Sequence, residues 1–493
     1  MFANDRPARA AWITLICGLG LTLFIIRLSG LSDLEGYAQH RNIGYVLDAI
    51  GNGNWLAQYD MEGRILSKPP LHTWLAAGSA LLFGIDRPAL ALPSLLSIVA
   101  LSVLVFEFGR RRFGLLAGGL AGVAVVMAPM VTKHIALLRS DPLFALLVAL
   151  AALAALRAWE QGGRWLPFWL AAGLATLTKG PLALVLAAGG LLAWFWERRT
   201  DSATPPLRGS QWAGVLVFLA IPLIWFLAAW WHEGQALIDK MLRDELLGHA
   251  TGVGRDSQFG ANLLRPTLFF LQRFLPFSLF SAYAVWRVFR HPAADAGERR
   301  VERFLTCWIL AGLLIFSLAA HHRPDLLLPL WAPAALLAGR EMAALAKRMG
   351  VRYFALAAVV LVGLLLIAAF DNYHARIQEP DERNLYSENI RAAARSLGDS
   401  GLDVRQLLHA DTPVTLQMYL GTHRRWLTAE QLDQLRREPA PGGFLIAVEA
   451  VDPIRLGFDE ERFVSHLVFS WASSEQAPPL LRVYNVRSRV AAR

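Results

Sequence analysis

Apolar runs of roughly twenty residues recur along this chain as far as Phe370 and then stop. Each run is long enough, as a helix, to cross the ~30 Å hydrocarbon layer of a bilayer, and no soluble core accommodates so many of them. Of 493 residues, 55% are hydrophobic and 18% are charged. The chain therefore reads as a polytopic α-helical membrane protein with a small C-terminal α/β domain. Spans are predicted near 11–30, 88–108, 114–132, 141–158, 164–179, 180–197, 211–231, 266–288, 303–320, 324–340 and 351–370. That makes about eleven spans, or twelve to thirteen if short segments such as 71–86 also cross. The first span has a positive flank and no small-residue cleavage site, so it is expected to stay as an anchor.

The net charge of +9 could point to nucleic acid, but in a membrane protein excess arginine belongs to cytoplasmic turns and no nucleic-acid partner is expected. Arginine placement also decides how segment 71–86 lies. If it rests in the interface, then Arg9, the Arg110 to Arg112 run, Arg157, Arg198, Arg199, Arg299 and Arg340 all fall on one side. The opposite side receives loop 31–87, the turn from Lys133 to Asp141, loop 232–265 and the turn from His321 to Asp325. This divides the chain into a membrane domain, 1–370, and an accessory α/β domain, 371–493, on that same outer face. The first outer loop is expected to carry interfacial helices. In the C-terminal part, helical patterns alternate with strand-like runs such as VRQLLHA, GFLIAVEA and LLRVYNV. Cys17 and Cys307 both lie inside apolar runs and signal neither a disulfide framework nor a metal site.

Loop 31–75 is a dense polar island in an apolar chain. Asp33 and Glu35 follow the first span directly and could act as a general base or hold a divalent cation; a solvated helix end is the plain alternative. Asp141, just before Pro142, could be an ordinary helix cap, or an intramembrane carboxylate paired with neighbouring Arg139. Lys68 is stiffened by Pro69 and Pro70, and suits a phosphate or simply snorkels. Lys179 in an apolar turn poses the same choice. His321 and His322 are a weak metal signal without further ligand spacing, and neighbouring Arg323 is the better phosphate contact. Carboxylates and cations on one face suit group transfer from a membrane-embedded lipid phosphate.

At these residues the chain resembles the lipid-carrier-dependent glycosyltransferases of the type C membrane fold, including bacterial aminoarabinose transferases and protein O-mannosyltransferases. The resemblance is carried by Asp33 to Ala38, Gly53-Asn54-Trp55, Lys68-Pro69-Pro70-Leu71, Arg139-Ser140-Asp141, Thr178 to Pro181, Arg243-Asp244-Glu245 and Leu327 to Leu330, in order. It implies a membrane glycosyltransferase of the bacterial inner membrane with its active face in the periplasm. The donor would be a polyprenyl-phosphate-linked sugar and the acceptor a periplasmic lipid, glycan or protein. Asp33 would be the principal catalytic carboxylate, with Glu35 beside it and Asp141 as partner. Lys68 and Arg323 would contact the lipid phosphate, with Tyr37, Arg139, Lys179, Glu245 and His322 as further binding residues. Leu34, Gly36 and Ser67 depart from the family pattern; an acidic residue precedes the Lys-Pro-Pro turn in the aminoarabinose enzymes, so a divalent cation is left open. A non-catalytic lipid-glycan binder or flippase is the alternative from a different class.

Overall fold

The computed structural model describes residues 6–31, 34, 37–247, 263–319, 322–378, 382–440, 442–449, 453–474 and 476–489. Two compact units emerge from the way the chain packs. The first comprises Met1–Ser29, Ser67–His72 and Ala91–Asn372, and the second Gly30–Leu66, Thr73–Leu90 and Tyr373–Arg493.

Among the described residues of the chain, six helices are long and apolar enough to cross a membrane: Arg6–Ser29, Arg87–Phe113, Asp141–Gln161, Trp212–Glu233, Ala296–Leu318 and the Val351–Ala375 stretch. Five expected spans take other forms. Leu115–Val126 and Leu166–Lys179 are short, and 180–197 is a chain of short helical pieces, Leu182–Ala188, Gly189–Leu192 and Ala193–Thr200. The 266–288 run breaks into Arg265–Arg273 and Phe277–Arg290, because Pro276 has no N–H to continue the ladder. The 324–340 run opens as a 3-10 turn, Pro324–Leu330, before the Trp331–Met349 helix. Helix Leu71–Phe83 has 13 residues, about 20 Å at 1.5 Å per residue, too short to cross a ~30 Å layer.

Within the first unit, Asp141–Gln161 is central and largely buried, built from alanine and leucine. Trp212–Glu233 buries only Gly214, Trp225 and Ala229, leaving an apolar perimeter suited to lipid. Small residues allow the closest helix approach: a Cβ on Gly339 would sit 2.4 Å from the Ala117 carbonyl oxygen, so the Trp331–Met349 and Leu115–Val126 helices touch backbone to backbone there. The arginines of the turns gather at one end of these helices through carboxylate partners. Arg9 pairs with Glu107 at 2.5 Å and Arg112 with Glu160. Glu197 is held by Arg299 and Arg303, and Glu302 by Arg287 and Arg340. Arg9 and Arg112 share an end of the helices.

The second unit is built on a four-stranded sheet of β1 (Leu408–Ala410), β2 (Phe444–Glu449), β3 (Phe463–Trp471) and β4 (Leu481–Ser488), in the order β1-β2-β4-β3. β1 and β2 are parallel and the other pairs antiparallel. Alternating side chains bury both faces. Ala447, Leu481 and Val483 pack on Ile390, Ala393 and Leu397 of the Glu382–Gly398 helix, while Ile446, Val448 and Val486 pack with Phe458 and Phe463 on the other face. The expected strand over VRQLLHA shrinks to β1 behind a 3-10 turn, Val404–Gln406, capped by Asp403. β3 and the Val414–Leu420 helix had no clear sequence signal.

The grouping differs from a division at 370/371. Helix Tyr37–Gly51 of loop 31–87 packs on Val414–Leu420, and Trp426 N–H donates to the Met61 carbonyl. The loop and the C-terminal sheet form one unit because their polar and apolar surfaces complete each other.

Candidate functional site: a buried carboxylate and cation cluster

Helix polarity builds the centre of this site. Asp141–Gln161 and Leu166–Lys179 run antiparallel, so the N-terminus of one lies beside the C-terminus of the other. A carboxylate is favoured at the first end and a cation at the second. Asp141 is the first helical residue and Lys179 the last. Lys179 Nζ donates to Asp141 Oδ1 at 2.5 Å, and its ammonium lies 5.4 Å from the Phe144 ring centroid. The turn after Lys179 is made by Gly180, at φ 105°, followed by Pro181.

Arg139 supplies the second bond to Asp141, its Nε donating to Oδ2 at 2.8 Å. Its Nη2 donates to Asp325 Oδ2, also at 2.8 Å, and Arg323 Nη2 donates to that same oxygen at 2.7 Å. The preceding loop is pinned from behind by Ser94, whose hydroxyl donates to the Leu137 carbonyl at 2.6 Å. Two carboxylates thus meet three cations. Lys68 adds a further positive charge within electrostatic range of Asp141. Burial pushes the Arg139 guanidinium down, but the two carboxylates outweigh it and hold its pKa above the ordinary value. Asp141 is only 2% exposed and both its oxygens are occupied, whereas Arg323 is 57% exposed.

Two buried histidines border the cluster. His134 Nδ1 lies 2.9 Å from the Met130 carbonyl, which only a protonated nitrogen can satisfy, and burial keeps the ring below its ordinary pKa. His72 is lowered to about 4, by burial first. Both are therefore neutral at pH 7.

Among the residues singled out from sequence, Asp141, Arg139, Lys179 and Arg323 come together, with Lys68 in electrostatic range. The helix-cap alternative for Asp141 is corrected: Ser140 occupies the cap position, and the Asp141 carboxylate is turned to its cations. His322 Nε2 lies 3.2 Å from the Ser317 carbonyl and is tied to its own turn. Asp33, Glu35 and His321 fall outside the described residues, as do the side chains of Tyr37 and Glu245. Asp325, the hub between Arg139 and Arg323, was visible in sequence only as part of a polar turn. His72 and His134 carried no signal beyond their nearness to Lys68 and Lys133. Among the described residues, no group of three or more His, Cys, Asp or Glu side chains is placed to hold a metal ion.

The profile of the dolichyl-phosphate-mannose-protein mannosyltransferase family matches residues 67–226. The chain is 26% identical over 310 residues to an undecaprenyl phosphate-alpha-4-amino-4-deoxy-L-arabinose arabinosyl transferase of Erwinia tasmaniensis, covering 59% of this chain and 52% of that one. It is 29% identical over 351 residues to a transferase of the same description from Sodalis glossinidius, covering 66% of this chain and 59% of the relative. The chain thus covers less than two thirds of the length of these relatives. Its fold is similar to that of ArnT from Cupriavidus metallidurans bound to undecaprenyl phosphate, with a TM-score of 0.69 and 16% identity over 96% of this chain and 98% of that one. Against the apo state of the same protein the TM-score is 0.67 at 15% identity, over 97% and 98%.

The architecture is thus the one that ArnT shows. In sequence the chain is similar to lipid-carrier-dependent glycosyltransferases, through the profile match over residues 67–226 and the aminoarabinose transferase relatives.

Proposed function

We propose that the chain is an inner-membrane glycosyltransferase that moves a sugar from a polyprenyl-phosphate donor to a periplasmic hydroxyl or phosphate acceptor. The observation that carries the reading is the cluster of Arg139, Lys179 and Arg323 around two carboxylates among the described residues, Asp141 and Asp325. Three cations facing two carboxylates suit a lipid phosphate, and Lys68 lies within electrostatic range of the same cluster. The names of the relatives support undecaprenyl phosphate as the carrier and a pentose ahead of a hexose as the sugar.

The charge arithmetic fits the reaction. In a polyprenyl-phosphate sugar the phosphate is a diester with one negative charge. As the acceptor oxygen bonds to the sugar anomeric carbon, the bond from that carbon to the phosphate oxygen breaks. Its electron pair stays on the phosphate, which leaves as a monoester with a second developing charge. Preorganised cations stabilise that charge more in the transition state than in the ground state. Arg323, which is exposed, and half-buried Lys68 are assigned to the phosphate. Asp141, with both oxygens occupied, is assigned to orient Arg139 and Lys179 and prevent them from collapsing onto the leaving group. Asp33 is assigned to the acceptor proton through the motif likeness alone.

The test is deletion of the gene, followed by mass spectrometry of lipid A, cell-wall glycans and envelope proteins, with complementation by wild type, Asp33→Ala or Asp141→Ala. A glycan mass lost on deletion and restored by wild type alone supports transfer. Equal restoration by wild type and both variants would refute these assignments and favour a non-catalytic binder or flippase.

A further inference from the structure

Beside the Val414–Leu420 helix, the C-terminal part of the chain reaches loop 31–66 through a short turn, Gly421 to Trp426, and that turn is built from within. Gln417, fully buried, donates through Nε2 to the Arg424 carbonyl at 2.6 Å and accepts from the Arg424 N–H at 2.6 Å. Clamped on both sides, the turn presents the Arg425 side chain to the loop. Arg425 Nη2 donates to Asp48 Oδ1 at 3.2 Å, and its guanidinium carbon sits 4.3 Å from the Tyr59 ring centroid. Next to it, His423 fits so closely against Gly51 that a Cβ there would lie 1.9 Å from the imidazole ring, and Trp426 N–H bonds to the Met61 carbonyl at 3.1 Å.

Asp48 is the anchor of the loop. It is 2% exposed and accepts from Asn52 Nδ2 at 2.7 Å, from Asn54 Nδ2 at 3.0 and 3.1 Å, and from the Tyr59 N–H at 2.8 Å. These donors are all neutral. They fix the course of the chain from 48 to 59 but leave a buried carboxylate without a countercharge, and Arg425 is the cation that supplies it. A planar guanidinium can bond the carboxylate in its plane while its flat face lies on the ring, and an ammonium has no such face to stack.

We propose that Arg425 is a positioning residue for sugar transfer: it locks the loop that connects Asp33 to Lys68 in sequence, so that the C-terminal sheet is a template for that loop. This rests on the transferase reading above, and its test separates the two. The full chain is placed in lipid nanodiscs as wild type, Arg425→Ala, Arg425→Lys and the charge-balanced pair Arg425→Ala with Asp48→Asn. Hydrogen exchange is followed by mass spectrometry, undecaprenyl phosphate binding by native mass spectrometry, and glycan product in the complemented deletion strain.

Arg425→Ala is expected to speed exchange at residues 52–61 at least tenfold, to leave β2, β4 and undecaprenyl phosphate binding within twofold of wild type, and to cut product at least fivefold. Arg425→Lys should restore part of the loop protection and product, and the charge-balanced pair should restore more protection than Arg425→Ala alone. Unchanged loop exchange in Arg425→Ala overturns the proposal. So does equal acceleration in the loop, β2 and β4, which is general loss of stability, and so does full product from a loosened loop. If wild type itself makes no glycan product, the transferase reading and the catalytic part of this proposal both fall, and exchange decides the lock alone.

Discussion

Lys179 and Asp141 stand 38 residues apart in the chain, yet their side chains meet at 2.5 Å in the first unit. Two antiparallel helices bring them together, and Arg139 closes the carboxylate from its other side. The pair is the point at which fold and site chemistry become one structure.

Asp141→Asn keeps the shape of the side chain but strips the cluster of one negative charge. Breaking a buried pair in this way costs on the order of 3 kcal/mol. Unfolding of the full chain in nanodiscs should show that loss, and adding Lys179→Met should return part of it, because the stranded ammonium goes too. Additive effects of the two changes would contradict direct coupling.

Arg323→Ala behaves differently. Arg323 itself is largely open to solvent, and Arg139 still holds Asp325 without it, so its pair is worth less than about 1 kcal/mol to the fold. Undecaprenyl phosphate binding should nevertheless weaken about tenfold, with a smaller dependence on salt, as a charge-assisted phosphate contact is lost. Normal binding by a normally stable variant would remove Arg323 from the phosphate.

Arg112 and Arg323 should lie on opposite sides of the membrane. A reporter fused after Arg112 is expected to read cytoplasm, and a cysteine placed at 323 should react with an impermeant reagent added to the periplasm. A periplasmic signal after Arg112 would mean that segment 71–86 crosses after all.

His409 makes the sheet unit sensitive to acid. Burial first, and the nearby Arg424 charge second, push it down to about 4 from an ordinary 6.5, and Thr412 Oγ1 lies 2.9 Å from its Nδ1. Between those values the unfolded chain binds the proton and the folded chain does not, so stability is full above pH 6.5 and falls as pH drops. A loss of roughly 2 kcal/mol between pH 7 and pH 5 follows. Amide exchange in β1 and β2, compared at the two pH values and corrected for intrinsic rates, measures it. His409→Gln should flatten the dependence, and an unchanged slope in that variant would assign it to another group.

Helix Gly339→Leu tests the closest approach in the membrane part. The new side chain has no room beside the Ala117 carbonyl, so the Trp331–Met349 and Leu115–Val126 helices must separate. A loss above about 2 kcal/mol is expected in the same unfolding assay. Wild-type stability would show that the two backbones can part at little cost.

Much of the site was legible because its residues interrupt apolar segments, where ionisable groups are costly and therefore informative. Arg139, Asp141, Lys179 and Arg323 stood out for that reason. Asp48 did not: LDAIGNGNW reads as any polar loop, and only packing shows one carboxylate gathering Asn52, Asn54, Tyr59 and Arg425. His72 and His134 were silent because a lone histidine has no pattern.

Hydropathy determined, without coordinates, that the chain is a multi-span helical protein. That is a one-dimensional property, set by what a bilayer excludes. Which cation pairs with which carboxylate, where an apolar run breaks at Pro276, and that the stretch Gly30–Leu66 shares a unit with the C-terminal sheet were decided by tertiary structure. Contacts between residues 48 and 425, or 139 and 325, depend on packing between distant segments, and no local pattern encodes them.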